Sequence, residues 1–283
     1  MSTSIEFVKM HGLGNDFIIV DCYRHPYSVG QLVPASVPLC DRHVGIGGDG
    51  LILVLPSRQA DFRMRIINND GSEAEMCGNG IRCFAKYLYE HGLTRQTTFT
   101  IETLAGIITP ALLLDGDRVQ AVRVDMGEPR LERATIPMLG SAGQVVNEPL
   151  HVSEESFAIT AVSMGNPHAI IFVDDVVQFP VEQYGPLIEK HSAFPRKTNV
   201  EFVQILSPTA LKMRVWERGA GITLACGTGA CATLVAAVLT GNSERSATVG
   251  LPGGPLAITW SDEDNHVYMT GPAEEVFSGT VAI

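Results

Sequence analysis

Two cysteines occupy the same short motif, once in each half of the sequence. Cys77 begins Cys-Gly-Asn-Gly, and Cys226 begins Cys-Gly-Thr-Gly. Apolar residues at helical spacing follow each motif, so both thiols are predicted to lie at the start of a helix. Backbone N–H groups at a helix start have no partner within the helix and carry partial positive charge. We expect such a position to lower the pKa of the thiol and to bind a carboxylate.

A pair of thiols of this kind can invert a stereocentre. If the two halves of the chain face each other, one thiolate takes a proton from a carbon atom while the opposite thiol delivers a proton to its other face. Negative charge that builds up on the attached carboxylate would be stabilised by the helix starts. Electrostatic stabilisation and exclusion of water would supply much of the barrier lowering. We therefore predict chemistry that uses neither a cofactor nor a metal.

The elements around the two motifs repeat as well. When the two Cys-Gly motifs are aligned, residues 62–66 fall on 211–215, and both segments alternate apolar and basic residues as a half-buried strand does. The helical spacing after each cysteine ends at a glycine, Gly92 or Gly241, as is typical of a helix C-terminus. A Gly-Asn turn leads into an apolar run upstream in each half. We infer a duplicated chain in which each half reads strand, polar loop, Cys-Gly-x-Gly and helix.

Composition limits the class of protein. The chain has 283 residues, 45% of them hydrophobic, and a formal net charge of −11, which is typical of a globular protein of about two domains. No apolar stretch approaches the roughly 20 residues that span a bilayer, and the start has no signal-peptide pattern. No Lys/Arg run offers a basic surface for nucleic acid. We expect a cytoplasmic protein with no membrane or nucleic-acid partner.

Other interpretations of these residues are possible. A cysteine nucleophile with His168 as its base is the main enzymatic alternative, but it leaves the duplicated cysteine unused. Residues 45–50 fit the dinucleotide-binding pattern G-x-G-x-x-G, yet 51–55 read as a strand where that pattern requires a helix. No two cysteines form a C-x-x-C pair, so a zinc site is not indicated. Cys83 and Cys231 are predicted to pack in the core.

These motifs resemble the diaminopimelate epimerase family over essentially the whole chain. The similar segments are 9–17, 68–73, 76–80, 82–84, 164–168, 198–199, 217–221, 225–231, 251–255 and 270–272. The resemblance implies cofactor-independent interconversion of LL-2,6-diaminopimelate and meso-2,6-diaminopimelate. It also implies a place in lysine and peptidoglycan precursor synthesis, and a homodimer.

The resemblance assigns roles to individual residues. Cys77 and Cys226 would be the two acid/base residues, one for each stereochemical direction. The substrate-binding set that it implies is Asn15, Asn68, Gly78, Asn79, Asn166, Asn199, Glu217, Arg218, Gly227 and Thr228. Arg218 would bind the distal carboxylate as a planar fork, with Glu217 and the amides for the remaining polar groups. His168 and Glu217 are also candidates for setting the ionisation of the thiols.

The family fold implied by this resemblance is α/β, of the α+β type. It has two pseudo-symmetric domains, each a curved mixed β-sheet wrapped around a central helix. We predict an N-terminal epimerase domain of residues 1–126 and 273–283 and a C-terminal epimerase domain of residues 127–272.

Two positions depart from the family, and two other functions stay open. Some members carry Gln in place of Gly50, and many carry Glu in place of Ile222, which affects the expected affinity rather than the reaction type. A cofactor-free enzyme resembling proline racemase or the PhzF-like isomerases could share the duplicated scaffold, but Arg218 beside Glu217 favours a substrate with a second amino-acid end. A small-molecule binding protein without catalytic activity would use both thiols only for packing.

Overall fold

The chain forms two compact units. The structure, a computed structural model, describes residues 4–283; residues 1–3 belong to the segment considered above for a signal peptide and lie outside this range. The first unit runs to Val124 and resumes at Gly271, and the second unit spans Asp125–Thr270. No helix within residues 4–283 is long and apolar enough to cross a membrane.

The first unit is a mixed sheet with helices α1 and α2. Its elements are β1 (Ser4–Gly12), β2 (Asn15–Asp21), α1 (Val29–Cys40), β3 (Gly50–Leu55), β4 (Phe62–Asn68), β5 (Glu73–Ala74), α2 (Gly78–Glu90), β6 (Ile101–Thr103), β7 (Gly106–Ile108), the hairpin β8 (Ala111–Asp115) and β9 (Arg118–Asp125), and β19 (Glu274–Ala282). The strand order is β19-β1-β2-β3-β4-β6-β7, and β5 pairs with β4. The β2–β3 and β4–β6 pairs are parallel, and the other pairs in this sheet are antiparallel.

The second unit repeats this arrangement. Its elements are a 3₁₀ turn (Arg133–Thr135), β10 (Glu148–Val152), β11 (Glu155–Ser163), β12 (Pro167–Phe172), α3 (Val181–Glu189), β13 (Asn199–Ser207), β14 (Ala210–Glu217), β15 (Gly221–Ile222), α4 (Gly227–Leu239), β16 (Ser246–Leu251), β17 (Gly254–Trp260) and β18 (Val267–Gly271). The strands follow the order β10-β11-β12-β13-β14-β16-β17-β18, with β15 beside β14. The β12–β13 and β14–β16 pairs are parallel, like their counterparts in the first unit.

A buried helix lies at the centre of each sheet. Helix α2 is buried at nearly every position and contacts β1, β2, β3 and β4, and α4 contacts six strands of its own sheet. A helix that is buried on all sides belongs to the interior of a unit rather than to its surface. The predicted α/β fold, two similar domains with a mixed sheet around a central helix, is therefore confirmed.

The second helix of each unit packs elsewhere on the sheet and closes the core. Leu32 and Leu39 of α1 pack with Leu51 and Leu53 of β3, and Val181 of α3 belongs to the corresponding core of the second unit. Because side chains alternate along a strand, the intervening Ile52 can face α2 instead, and its side chain indeed lies next to that helix. The sheet of each unit is thus buried by two helices.

The ends of the central helices match the sequence prediction closely. Gly92 follows α2 with φ +73°, and Gly241 follows α4 with φ +74°, the left-handed conformation in which glycine has no Cβ penalty. At the other ends, Cys77 and Cys226 are the N-cap residues. Since the two helices begin directly after the two cysteines, the fold places both thiols at helix N-termini.

Candidate active site

Cys77 lies directly before the first residue of α2 in the first unit. Its backbone is extended, with φ −140° and ψ 121°, and its carbonyl accepts the first helical hydrogen bond from Ile81 at 2.8 Å. The half-buried thiol lies 3.5 Å from Asn15 Oδ1, to which it can donate. The backbone N–H groups of Gly78 and Asn79 belong to the first turn of the helix, where no intrahelical acceptor is available.

Asn15, Asn79 and Arg82 surround Cys77 with a network of amide and guanidinium groups. Asn79 Nδ2 donates to Asn15 Oδ1 at 3.1 Å, and Arg82 Nη2 donates to Asn79 Oδ1 at 2.9 Å. The fully buried Arg82 also donates to the carbonyls of Gly78 at 3.0 Å and of Pro272 at 3.1 Å. We call Cys77, Asn15, Asn79 and Arg82 the Cys77 cluster.

Charged residues outside the cluster fix the turn that carries Asn15. Asn15 Nδ2 donates to Asp49 at 2.7 Å, and Arg42 pairs with Asp49 at 2.8 Å and with Asp16 at 2.7 Å. Lys9 is 2.6 Å from Asp16. Burial would raise the pKa of Asp16, but its hydrogen bonds to Arg42 and Lys9, together with their positive charges, lower it to about 2. The glycine-rich loop that holds Asp49 therefore supports Asn15.

Two further positions of the first unit lie at the end of β4. Asn68 Nδ2 donates to Ser72 Oγ at 2.9 Å, and the Asn68 backbone N–H donates to the Ser72 carbonyl at 2.7 Å, so its visible role is to shape the turn after β4. Gly50 pairs with Asn68, and a Cβ atom on Gly50 would come within 2.9 Å of the Ile67 carbonyl oxygen. The close approach of β4 explains why a glycine suits this strand.

Cys226 begins α4 in the same way, but it lies deeper. Its backbone has φ −125° and ψ 104°, and its carbonyl accepts from Ala230 N at 3.0 Å. The thiol is only 5% exposed and lies 3.6 Å from Thr228 Oγ1. Asn166 Nδ2 donates to the same hydroxyl at 3.2 Å. Thr228 therefore links the thiol to Asn166, as Asn15 links Cys77 to Asn79.

Behind Asn166 lies a fully buried pair of titratable side chains. His168 Nε2 is 3.0 Å from Asn166 Oδ1, and His168 Nδ1 is 2.7 Å from Glu201 Oε1. Both His168 and Glu201 are 0% exposed. We call Cys226, Thr228, Asn166, His168 and Glu201 the Cys226 cluster.

Carboxylates dominate the electrostatics around Cys226. Burial raises the pKa of the thiol well above its usual range, and the negative charges of Glu217 and Glu201 raise it further. Burial also raises the pKa of Glu217, which accepts a short hydrogen bond from the Thr223 hydroxyl. The expectation that a helix start lowers the thiol pKa is therefore wrong for Cys226, because burial and two carboxyl groups outweigh the donors of the first turn.

Asn199 and Arg218 lie at the edge of this region. Asn199 is opposite His168 in the β12–β13 pair, and its side chain donates to the Pro167 carbonyl at 3.0 Å and accepts from the Arg218 N–H at 2.9 Å. Arg218 itself is exposed in the turn after β14, with Nη1 3.2 Å from the Arg196 carbonyl. Asn199 thus fixes the Arg218 backbone and leaves its guanidinium at the surface of the unit.

The other cysteines are buried or partly buried, and none belongs to a metal-binding group within the described residues. Within residues 4–283, none of the six cysteines forms a disulfide bond. Cys83 and Cys231 are fully buried, as predicted for core residues, and burial raises the pKa of Cys83 to about 12. Between residues 4 and 283, no group of three or more His, Cys, Asp or Glu side chains is placed to hold a metal ion.

Several residues in or next to the two clusters are not identified from the sequence. Glu201 and Asp49 were missed, and Arg82 was noted only as part of a motif. Glu201 stands inside the apolar run of β13, and Arg82 inside the apolar first turns of α2. A charged residue within an otherwise buried segment is a signal that could have found both, because such a residue is rarely buried without a partner.

Comparisons with known proteins agree with the motifs. The sequence model of the family described as diaminopimelate epimerase matches residues 7–132 and 160–276. The diaminopimelate epimerase of Pelotomaculum thermopropionicum is 59% identical over 97% of this chain and 98% of its own length. That of Methanococcus maripaludis is 53% identical over 99% of this chain and 100% of its own.

Solved structures with low sequence identity share the fold. A phenazine biosynthesis protein of the PhzF family from Bacillus anthracis has a TM-score of 0.73 at 18% identity, covering 99% of this chain and 100% of that one. A hydroxyproline epimerase from Agrobacterium vitis, with bound trans-4-hydroxy-L-proline, has a TM-score of 0.70 at 15% identity, covering 99% and 93%. These matches show the shared fold, and the family model and the curated relatives show that the chain is an isomerase and belongs to the diaminopimelate epimerase family.

Proposed function

We propose that this chain interconverts LL-2,6-diaminopimelate and meso-2,6-diaminopimelate by exchanging the proton on one α-carbon. The substrate is the one in the names of its curated relatives. The observation that carries the mechanism is the duplicated helix start: a cysteine is the N-cap of a buried 13-residue helix in each unit. A single acid/base group would require only one of them.

The proposed reaction has two proton transfers. In the first, the thiolate of one cysteine takes the α-hydrogen as a proton, and the C–H electron pair is delocalised into the adjacent carboxylate. In the second, the S–H of the other cysteine gives its proton to the opposite face of the carbon, and a new C–H bond forms. The first cysteine ends as a thiol and the second as a thiolate, so the carbon is inverted without net oxidation or reduction.

The helix starts are suited to hold the carboxylate while it carries this extra charge. Backbone N–H groups of Gly78 and Asn79, and of Gly227 and Thr228, lie in the first turns of α2 and α4. These donors need not reorganise when charge develops, and removing one donor of this type costs about 2.7–4 kcal/mol in the transition state, by analogy with an oxyanion hole. We infer that they contribute most of the stabilisation of the carbanion.

Substrate recognition is assigned to polar groups at the edges of the two clusters. The exposed Arg218 is positioned by Asn199 and can form paired hydrogen bonds with the distal carboxylate. Asn15, Asn68 and Asn166 are proposed to bind other polar groups of the substrate. Glu217 affects the pKa of Cys226, and we therefore favour thiol tuning as its main role, together with His168.

The cellular setting is proposed on the same basis. We propose that the enzyme acts in the cytoplasm, in lysine and peptidoglycan precursor synthesis, that it uses no cofactor, and that it is a homodimer. Size-exclusion chromatography with light scattering would measure the mass in solution. A monomer with full activity would contradict the dimer.

The test of the proposed function is isotope incorporation. The purified protein is incubated with LL-diaminopimelate in deuterated water, with and without hydroxylamine to remove any pyridoxal phosphate. We expect meso product that carries solvent deuterium on the inverted carbon, at a rate that hydroxylamine does not change. Product without deuterium, or activity that hydroxylamine abolishes, would contradict the mechanism; no conversion of this substrate would contradict the proposed activity.

A further inference from the structure

Glu201 is a buried charged group that the proposed proton transfers do not use. Its side chain is fully buried on β13, and Oε1 accepts a hydrogen bond from His168 Nδ1 at 2.7 Å. Oε2 is one of only two buried side-chain N or O atoms among residues 4–283 with no hydrogen-bond partner. A buried acceptor without a donor costs roughly 1–3 kcal/mol, so the fold tolerates a carboxylate here at the expense of stability.

The first unit shows that the duplicated fold does not require this pair. Strands β2 and β3 are parallel neighbours there, as β12 and β13 are in the second unit. In these matched strands, Phe17 stands where the second unit has His168, and Ile52 stands where it has Glu201. Both residues of the first unit are apolar and buried. Since apolar residues fill these positions in one unit, the ionisable pair in the other must serve something besides packing.

A glycine of each central helix faces the matched position. A Cβ atom on Gly80 would lie 3.3 Å from Ile52 Cδ1, and a Cβ atom on Gly229 would lie 2.6 Å from Glu201 Oε1 and 3.1 Å from Cys226 Sγ. The carboxylate and the thiol are therefore both packed against the same glycine of α4. This geometry places Glu201 next to the start of the helix that carries Cys226.

The groups that act on the Cys226 thiol come from three elements: β13 contributes Glu201, β14 contributes Glu217, and the first turn of α4 contributes Thr228. His168 on β12 contacts Glu201 and Asn166. In addition to burial, Glu217 and Glu201 both raise the pKa of the thiol. Glu201 also raises the pKa of Glu217, whereas His168 lowers the pKa of Glu217. The negative charges thus oppose formation of a thiolate at Cys226.

We propose that Glu201 is a positioning residue for the reaction: it fixes the His168 ring against Asn166 and keeps Cys226 protonated before substrate binds. This inference rests on the proposed function, in which Cys226 is one of two acid/base groups. In the direction of the reaction that begins from this form, Cys226 is the proton donor and Cys77 is the proton acceptor; the reverse direction begins from the opposite form. An apolar residue like Ile52 would leave the thiol without this control.

The test measures the ionisation of Cys226 without substrate. Cys77→Ser protein and Cys77→Ser/Cys226→Ser protein are titrated with alkali, and the difference in ultraviolet thiolate absorbance reports Cys226. Adding Glu201→Gln to both proteins removes the negative charge. We expect the midpoint to fall by about one pH unit, a roughly tenfold gain in thiolate at a fixed pH below the midpoint.

Further variants keep the result interpretable. Glu201→Asp preserves the charge, so the titration midpoint of Cys226 in this variant is expected to stay close to that in the protein with Glu201. Glu201→Ile copies the residue of the first unit and should lower the midpoint as Glu201→Gln does, which provides a second test if one variant fails to fold. Glu189→Gln is the matched control, because Glu189 is also buried in this unit but accepts from Trp216 and Gly219. The titration midpoint of Cys226 should not change in Glu189→Gln.

The outcomes are decisive whether or not the chain epimerises diaminopimelate. An unchanged or raised midpoint in both Glu201→Gln and Glu201→Ile would overturn the role of Glu201, even if both proteins were active. A lowered midpoint in a chain that fails the deuterium assay would support the electrostatic role and remove the proposed reaction.

Discussion

The Cys77 cluster and the Cys226 cluster are two versions of one structural plan. In each, a cysteine begins a buried helix, and an asparagine from a Gly-Asn turn contacts the first turn of that helix. Asn15 presents its Oδ1 to the helix start, where it accepts from Asn79 and lies near the Cys77 thiol, whereas Asn166 presents its Nδ2 to Thr228. The same residue type therefore offers an acceptor in one cluster and a donor in the other.

The supporting residues differ more than the cysteines do. Arg82, a permanent cation, supports the Cys77 cluster through carbonyl and amide oxygens. The Cys226 cluster is supported instead by the buried, hydrogen-bonded pair of His168 and Glu201. Duplication thus preserved the position of the thiol, while substitutions behind it gave each thiol a different electrostatic environment. The comparison teaches that two equivalent cysteines need not begin the reaction in the same state.

Replacement of either cysteine is the strongest test of their equivalence in catalysis. Cys77→Ser and Cys226→Ser are each expected to reduce the epimerisation rate by about 10³-fold, within the range for loss of a general acid/base group. The measurement is the initial rate with LL- and with meso-diaminopimelate. Cys83→Ala, in the same helix as Cys77 but buried in the core, is the control and should retain activity. Retained activity in one of the two serine variants would show that only one cysteine is required.

Arg82→Met tests whether the guanidinium matters to its cluster as the structure indicates. The change leaves the carbonyls of Gly78 and Pro272 and the Asn79 side chain without a charged donor. We expect the free energy of unfolding to fall by about 3 kcal/mol, since each buried acceptor left unsatisfied costs roughly 1–3 kcal/mol. Chemical denaturation measures this change. A loss below about 1 kcal/mol would show that the network contributes little.

Asp16→Asn tests how much the ion pairs of Asp16 with Arg42 and Lys9 stabilise the folded protein, and how this contribution changes with pH. The pKa of Asp16 is lowered from 3.8 to about 2 in the folded protein, so its contribution is complete above the unfolded pKa and is lost as the pH falls through about 2. We expect the variant to be less stable by on the order of 2 kcal/mol at neutral pH, with the difference disappearing in acid. Denaturation curves at several pH values measure it.

Asp264→Asn is the control for that pH experiment in the other unit. The pKa of Asp264 is also lowered to about 2, through hydrogen bonds from Tyr268 and the His266 backbone, but the carboxylate is fully exposed. Solvent screens such a group, so its pH-dependent effect on stability should be smaller than that of Asp16. If the two variants lost equal stability, burial of Asp16 would not be the reason that its ion pairs stabilise the protein.

Chemical labelling gives the smallest expected difference between the two clusters. Cys77 is half-buried, whereas Cys226 is buried and its pKa is raised. Because the thiolate is the reactive form, we expect iodoacetamide to modify Cys77 about tenfold faster than Cys226 near neutral pH. Mass spectrometry of the two cysteine-containing peptides measures the rates. Equal rates would contradict the different environments of the thiols.

Local sequence signals were sufficient to predict most of the framework. The apolar periods placed α2 and α4, the terminal glycines marked their ends, and the Cys-Gly motifs marked their starts. These features depend on residues that are close together in the sequence. The repeat could be recognised for the same reason, because each copy keeps its own local pattern.

The electrostatic environment of each thiol could not be predicted in this way. The raised pKa of Cys226 depends first on burial and then on the charges of Glu217 and Glu201, which reach it from neighbouring strands of a folded sheet. Likewise, Asp49 supports Asn15 across a parallel strand pair that is separated by α1. Spacing along the chain does not reveal which side chains meet across a sheet, and burial, which decides the direction of the thiol pKa, is a property of the packed unit.

The pairing of β19 with β1 has a consequence for the order of biogenesis. The first unit takes its edge strand from Glu274–Ala282, and Arg82 binds the carbonyl of Pro272, whereas the second unit is built from one continuous stretch. During synthesis on the ribosome, the second unit can therefore fold as soon as it emerges, but the first must wait until residues 274–282 have been translated. Nascent chains would acquire the Cys226 helix in its mature setting before the Cys77 helix, although Cys77 is made first.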